Sequence, residues 1–293
     1  MRTTYDVNDM TIHRIVEQEQ GFTPMLEFLP TLAEETLKEN LSWLAPGGFD
    51  RKTGNVVLCF QSYVVKTPHH NLLVDSCIGN DKNFPQRPTW NKKRDPSWMN
   101  ALKEAGLAPE DIDFVMCTHL HGDHVGWNTK MENGRWVPTF PNARYLMGRV
   151  EYAHWRDHAA QAQDREDQRA VFADSVRPVF DAGLVDLVET DHRIDEAVSL
   201  IPTIGHTPGH VSVRIRSRGQ EALITGDFVH HPCQIARPEW ASTADSDPVA
   251  ARGTRERMLA GLAHTPVLVI GTHFAAPTAG RIVRDGAAYR LEA

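Results

Sequence analysis

Residues 118 to 124 read Thr118-His119-Leu120-His121-Gly122-Asp123-His124, which places three imidazoles and one carboxylate within six consecutive positions. The residues before this run, Phe114 to Cys117, are apolar and favour a buried strand. Such a strand presents His119 and His121 on one side, because alternate residues of an extended chain face the same way. Gly122 permits a tight bend, after which the last two residues begin a helix. The run therefore predicts a loop that serves two metal ions.

The histidine content of the chain is high, with 15 residues, so some clustering is expected by chance. A single His-x-His pair would carry little weight. Four potential ligands within six residues favour metal binding over solvated loop histidines, because imidazole and carboxylate are common metal ligands. Nitrogen and oxygen ligands without thiolate suit zinc best, and they also accept iron, manganese or cobalt.

The run matches the His-x-His-x-Asp-His signature of the metallo-β-lactamase superfamily, and four further segments resemble motifs of that family in the same order. These segments are Asn71-Leu72-Leu73-Val74-Asp75-Ser76-Cys77-Ile78-Gly79, Gly205-His206-Thr207-Pro208-Gly209-His210-Val211-Ser212, Leu223-Ile224-Thr225-Gly226-Asp227 and Val267-Leu268-Val269-Ile270-Gly271-Thr272-His273. The resemblance spans about residues 55 to 275. It implies an α/β fold, the αβ/βα sandwich, in which two mixed β-sheets are flanked by helices.

The resemblance also implies a set of ligands for two divalent metal ions, with zinc expected. One metal would be held by His119, His121 and His210, and the other by Asp123, His124 and His273, with Asp227 bridging the two. Asp75 and Thr272 are expected to orient ligands from behind. Asp123 and Asp227 are the candidate catalytic residues, and Asp123 is expected to pass a proton to the leaving group.

This ligand set predicts a hydrolase. Two cations that share one water lower its pKa toward neutrality, so a bridging hydroxide becomes available as a nucleophile. A non-catalytic metal-binding module is the alternative from another class, and a missing ligand would favour it. All seven positions are filled, which favours an enzyme.

The composition excludes several classes of protein. A formal net charge of −7 provides no electrostatic footprint for nucleic acid. The four cysteines are scattered, so neither a disulfide framework nor a zinc ribbon is indicated. The N-terminus lacks the apolar core of a secretory signal, and no run approaches the ~20 apolar residues of a membrane span. A cytoplasmic enzyme without a membrane or nucleic-acid partner is expected.

The metal motifs occupy most of the chain, so a single domain over residues 1–293 is predicted. Residues 1 to 50 are interpreted as an N-terminal extension, with a helix whose apolar stripe includes Leu37 and Leu44. That stripe is expected to pack on its own domain, and a homodimer is left open. Residues 151 to 180 are interpreted as an exposed helical insertion. Two further helices are predicted at Trp98–Ala105 and Arg252–Ala263.

The resemblance is strongest to a branch that contains acyl-homoserine lactone lactonases, pyridoxolactonase and methyl parathion hydrolase. A small lactone or a related ester is the first expected substrate. The alternative is an organophosphate or other xenobiotic, cleaved as by a phosphotriesterase or a hydrolytic dehalogenase. A glyoxalase II-like thioesterase is less favoured, because only 20 residues follow His273. His230, Phe84 and Trp90 are the candidate residues of the substrate pocket.

Overall fold

The computed structural model of the chain describes residues 3–45, 47–159 and 166–293. Contacts divide these residues into two compact units. The central unit comprises residues 3–17 and the described part of 60–192, and the C-terminal unit comprises residues 18–59, apart from Pro46, and 193–293. The single domain over 1–293 stays a prediction.

The strands of the described chain are mostly short, as the punctuated apolar runs of the sequence predict. They are β1 Thr4–Val7, β2 Met10–Pro24, β3 Phe49–Asp50, β4 Asn55–Lys66, β5 Asn71–Val74, β6 Phe114–Cys117, β7 Thr129–Glu132, β8 Arg135–Pro138, β9 Arg144–Gly148, β10 Val185–Val188, β11 Val198–Pro202, β12 Val211–Ser217, β13 Gln220–Ile224, β14 Leu268–Ile270, β15 Ala279–Asp285 and β16 Ala288–Glu292.

The helices lie between the strands. They are α1 Met25–Phe28, α2 Glu34–Leu44, α3 Ser97–Glu104, α4 Gly122–Val125, α5 Arg149–Ala159, α6 Glu166–Val171, α7 Arg177–Asp181, α8 Cys233–Ala236 and α9 Pro248–Leu262. A π-helical turn at Phe172–Val176 joins α6 to α7. Within the described residues, none of these helices has the length and apolar character needed to cross a membrane.

The larger sheet has the strand order β1-β2-β4-β5-β6-β9-β10, with β3 paired to β4 off this path. Strands β5, β6, β9 and β10 run parallel to one another. Interior parallel strands are covered on both faces, which explains why β5 and β6 are almost entirely apolar. The strand β6 ends at Cys117, so the His-rich loop emerges at the carboxyl edge of this sheet.

The second sheet lies in the C-terminal unit and has the order β11-β12-β13-β14-β15-β16. Strands β13 and β14 are parallel, with Ile224 opposite Ile270. The helix α9 packs Met258, Leu259 and Leu262 into the core of this unit, as the sequence pattern predicts. The carboxyl ends of β13 and β14 therefore meet at one edge, where Asp227 and His273 follow them.

The first 50 residues differ from the interpreted extension. Residues 10–24 form the long strand β2, which lies between β1 and β4 in the larger sheet. Its residue Glu17 is buried and accepts hydrogen bonds from Ile78 N at 2.7 Å and from Trp127 Nε1 at 2.7 Å. The start of the chain is thus a structural part of the central unit.

The segment 151–180 is helical where it is described, and residues 160–165 lie outside the described residues. The prediction of an exposed segment was wrong for its apolar side, since Tyr152, Phe172, Val176 and Val179 are buried. The stacked rings of Tyr152 and Phe180, with centroids 4.9 Å apart, join α5 to α7. Polar residues lie between the apolar ones in this segment, so the sequence pattern did not indicate that one side is buried.

Gly126 lies where the loop after α4 meets the turn after β5, and its replacement tests this packing. A Cβ atom at Gly126 would lie 1.9 Å from Ile78 O. The obstacle is backbone, which cannot move aside, so Gly126→Ala is expected to lower the free energy of unfolding by about 3 kcal/mol or more. Urea titration of the purified variant measures this loss.

The matched control is Gly253→Ala, because Gly253 lies on the exposed side of α9 with open space around its Cβ position. This control is expected to stabilise the protein by roughly 0.5–1 kcal/mol, as alanine loses less entropy in a helix. Equal stability of the two variants would contradict the described contact between Gly126 and Ile78.

Candidate metal centre

The loop after β6 directs imidazoles toward one another. His119 is fully buried, and its Nδ1 lies 3.1 Å from Thr118 Oγ1. Its other ring nitrogen, Nε2, lies 3.0 Å from His121 Nδ1. Two nitrogens that converge in this way offer neighbouring lone pairs to a cation.

Asp75, which directly follows β5, supports this loop through hydrogen bonds. Its Oδ1 accepts a hydrogen bond from Thr118 N at 2.7 Å, and its Oδ2 accepts one from Thr118 Oγ1 at 2.8 Å. The same Oδ2 lies 2.9 Å from His124 Nδ1. A carboxylate only accepts, so Nδ1 of His124 carries the proton and Nε2 keeps its lone pair for a metal. Asp123 Oδ2 lies 3.8 Å from that Nε2.

Glu151 and Trp155 on α5 support the same loop, and neither residue was among the sequence candidates. The buried Glu151 accepts hydrogen bonds on Oε1 from Leu120 N at 3.1 Å and from Trp155 Nε1 at 2.6 Å. The Trp155 ring meets the His121 ring edge-on, with centroids 5.2 Å apart. A glutamate at the start of a helix is common in sequences, so it gave no signal of this role.

In the C-terminal unit the carboxylate of Asp227 is surrounded by imidazoles. Its Oδ2 lies 3.1 Å from His273 Nε2, 3.3 Å from His230 Nε2 and 3.5 Å from His206 Nε2. The Nδ1 of His273 lies 3.0 Å from the carbonyl of Cys59, which holds the proton on Nδ1 and leaves Nε2 as the ligand atom.

His206 is a candidate that the sequence analysis did not assign. Its Nδ1 lies 3.1 Å from Asp245 Oδ1, so its Nε2 is the nitrogen that faces Asp227. Burial alone would raise the pKa of Asp245, but the hydrogen bond from His206 and the nearby basic groups of His206, His230 and Arg255 hold that pKa well below its usual range. Asp245 is therefore a carboxylate at neutral pH.

His210, the predicted ligand of the same motif, has protein partners on both ring nitrogens. Its Nε2 accepts a hydrogen bond from Asp227 N at 2.7 Å, and its Nδ1 lies 2.9 Å from Thr203 Oγ1. The same Nδ1 lies 3.0 Å from the carbonyl of Thr203, the arrangement that in His273 leaves Nε2 as the ligand atom. The role of His210 as a ligand stays a prediction, and His206 is a further imidazole beside Asp227.

The remaining candidates are all buried. Thr272 donates its backbone N–H to Thr225 Oγ1 at 3.2 Å, which ties the strand end before His273 to the one before Asp227. The ring of Phe84 meets the ring of Trp90 edge-on at 5.4 Å. A pocket role for Phe84, Trp90 and His230 stays a prediction.

His230 lies beside Asp227 with little access to solvent. Its ring meets the ring of Phe28 edge-on, with centroids 5.4 Å apart. Burial lowers the pKa of His230 below its ordinary value, and the neighbouring Asp227 carboxylate opposes that shift. This imidazole is thus held between an apolar ring and a carboxylate.

The residues fit divalent cations in their chemistry. In His124, His206 and His273, one ring nitrogen is held by a carboxylate or carbonyl and the other faces a carboxylate. This is the arrangement by which proteins select the imidazole tautomer that binds metal. Each unit therefore carries one set of oriented nitrogen and oxygen donors.

Comparison with known proteins identifies the family. A model of the metallo-beta-lactamase superfamily matches residues 61–273. An N-acyl homoserine lactonase from Bacillus sp is 30% identical over 130 residues, which is 44% of this chain and 43% of the relative. The chain thus spans less than half the length of the curated relatives that it matches.

Two solved structures share the fold over nearly the whole chain. The hydrolase AbOPH in the beta lactamase superfamily has a TM-score of 0.81 at 25% identity and covers 98% of this chain and 95% of its own. The dizinc quorum-quenching lactonase AidC, solved with a product, also has a TM-score of 0.81, at 19% identity, and covers 99% of this chain and 96% of its own.

These matches confirm the predicted fold. The family match includes the loop at 118–124, Asp75, which supports that loop, and the strand ends that carry Asp227 and His273. The chain belongs to the metallo-beta-lactamase superfamily.

Proposed function

We propose that the chain is a dinuclear metal hydrolase that opens lactones. The observation that carries this proposal is the orientation of the histidine rings, each of which directs one nitrogen toward other potential ligands while the protein holds the second. The proposed ligands are His119, His121, Asp123, His124, His210, Asp227 and His273. Zinc suits these donors best.

Metal ions bound to such a set would activate water and polarise a carbonyl oxygen. The protein's own side chains would hold the metal ions and move protons. Asp227, whose Oδ2 has three imidazole Nε2 atoms within 3.5 Å, would serve as the ligand shared by the two metal ions. Asp123 is half-buried beside His124 and is proposed to carry a proton to the leaving oxygen.

A lactone is the proposed substrate class. The support comes from the curated relatives, which are N-acyl homoserine lactonases, and from the fold shared with the lactonase AidC. A cyclic ester carries its carbonyl oxygen and its leaving oxygen close together in one small molecule. A site that holds an activated water and a proton donor near each other can act on both atoms.

The test combines metal analysis with a substrate panel. Metal-replete protein is expected to hold about two equivalents per chain, as the split ligand set requires. It is expected to hydrolyse γ- or δ-lactones faster than β-lactams and glutathione thioesters, measured by pH-stat titration with metal-depleted protein as the control.

The other outcomes are distinguishable. Full activity with one equivalent would contradict the dinuclear centre. Two bound equivalents with rapid cleavage of aryl phosphotriesters or haloaromatics, and no cleavage of lactones, would support the proposed metal centre. That result would contradict lactones as the substrate class. Two equivalents without turnover on any of these classes would indicate the non-catalytic module.

A further inference from the structure

A groove of about 370 Å³ lies between α9 and the face of the second sheet that this helix covers, and it is named the α9 groove. Glu221, near the start of β13, and Val267, directly before β14, both line it. Asp227 and His273 instead follow the carboxyl ends of the same two parallel strands. The α9 groove is therefore separate from the candidate metal centre.

The floor of the α9 groove is apolar. Its residues Leu223, Met258, Leu262 and Val267 also belong to the hydrophobic core of the C-terminal unit. Ile201 on β11 lines the groove as well and is only partly buried against this core. The helix thus leaves one edge of the core uncovered. A concave apolar surface of this volume is of the size that binds small molecules.

Gly261 on α9 keeps the α9 groove open. It lines the groove, and a Cβ atom added to it would meet no heavy atom of the described residues within 4 Å, apart from its neighbours along the helix. Glycine inside a helix is less favourable than alanine, because the unfolded chain loses more freedom on folding. A side chain at this position would stabilise the helix and occupy the space above the floor.

The rim of the α9 groove is basic. Arg214 and Arg257 line it, together with the carboxylate of Glu221. That carboxylate is already used on both oxygens, because Oε1 accepts a hydrogen bond from Arg214 Nε and Oε2 accepts one from Arg216 Nε at 2.7 Å. Two guanidinium groups share one negative charge, so this side of the rim keeps a positive charge.

Arg257 adds a second positive charge to the rim. Its side chain is exposed, and its Nη2 donates a hydrogen bond to Pro202 O at 3.3 Å. Within the part of the chain that the structure describes, no carboxylate lies at ion-pair distance from this guanidinium. Guanidinium groups present several donors in one plane and match the two oxygens of a carboxylate. The rim is thus complementary to an anion of this shape.

We propose that the α9 groove binds a free alkyl carboxylate of medium chain length. The carboxylate contacts Arg257, and the alkyl chain covers Met258, Leu262 and Leu223. A ligand with one negative charge at the end of an apolar chain matches both the basic rim and the apolar floor. This binding requires no metal ion, because the residues that line the groove are not among the proposed ligands.

Octanoate is the probe, and the methyl group of Met258 reports on the groove itself. In metal-replete full-length protein labelled with ¹³C at the methionine methyl groups, this signal is assigned by its loss in Met258→Leu. We expect it to shift and to saturate as octanoate is added. Each methylene added between butanoate and octanoate should tighten binding by about two- to fourfold, because more apolar surface is buried.

The charge of the probe tests the role of the rim. Octylammonium has the same chain with the opposite charge, and it is expected to bind at least about 10-fold more weakly, since like charges then face each other. Arg257→Gln is expected to weaken octanoate binding by roughly 3–10-fold, as for a charged contact that stays partly exposed. The matched control is Arg252→Gln, because Arg252 pairs with Glu256 on the same helix and does not line the groove.

The variant Gly261→Leu fills the α9 groove and is expected to remove the saturating shift of Met258. Its matched control is Gly253→Leu, which adds the same side chain to the same helix at a position that also has open space and does not line the groove. Both variants replace a helical glycine, so both are expected to fold. The control should bind octanoate as the wild type does.

Several results would overturn the proposal. They are the absence of a saturating shift of Met258 in the wild type, an unchanged shift in Gly261→Leu, and equal binding of octylammonium and octanoate. Binding of octanoate seen by calorimetry without a shift of Met258 would assign the carboxylate to another site, such as the metal centre. If thermal unfolding shows that Gly261→Leu is misfolded, the comparison of Arg257→Gln with Arg252→Gln decides, and equal affinities in that pair would contradict the site.

Discussion

Asp227→Asn is expected to lower kcat/KM by roughly 10²–10³-fold, in the range seen when one preorganised charge is removed from an active site. Its carboxylate Oδ2 is the atom to which His206, His230 and His273 all point, and Asp227 is buried. An amide cannot bridge two cations as a carboxylate does, so the metal content should fall together with the activity. Kinetics and metal analysis on the same sample measure both losses.

The fold should survive this substitution. The backbone N–H of Asp227, which donates to His210 Nε2, remains in the variant. The control is Asp186→Asn, because Asp186 pairs with Arg144 on a half-exposed side of the central unit and is remote in sequence from every proposed ligand. Wild-type turnover with two metals bound in Asp227→Asn would mean that the bridging role is misassigned.

The pair His206→Gln and His210→Gln is expected to behave oppositely. His210→Gln should lose tight binding of one metal and most of the activity, because Nδ1 of His210 lies 3.0 Å from the carbonyl of Thr203 and its Nε2 is proposed as a ligand. His206→Gln should keep both metals and lose stability, by about 1–3 kcal/mol for the buried partner left without its hydrogen bond. That partner is Asp245, whose Oδ1 lies 3.1 Å from His206 Nδ1.

Metal titration and thermal unfolding of both variants provide the comparison. Each variant is the control for the other, since the two histidines lie in one motif and both are buried. Loss of a metal in His206→Gln, with retention in His210→Gln, would contradict the ligand assignment that the sequence resemblance implies.

The loop at 118–124 was predictable because its chemistry is local. A strand, the alternation of side chains along it and a bend at a glycine are properties of consecutive residues. They already place His119 beside His121. The contact of Asp227 with His273 was also expected, because parallel strands that end side by side bring the residues after them together. The buried face of α9 followed from its periodicity.

The strand β2 shows where local patterns fail. Its burial alternates over much of its length, but the sequence shows no turn signal that would link it to β4. Tertiary packing determines which strands pair when they are far apart in the chain, and this pairing is not visible in the local sequence. Residues 10–24 were therefore interpreted as part of an extension. The buried side of the segment at 151–180 was missed for the same reason.

The sequence by itself determined the family, the edges of the sheets where ligands gather, and the presence of two histidines in the motif at 205–210. Only the tertiary structure decided which groups hold each of those two rings. These groups are Thr203 and the Asp227 amide for His210, and Asp245 for His206. A side chain's tautomer depends on the groups packed around it, and Asp245 arrives there from a loop 39 residues along the chain.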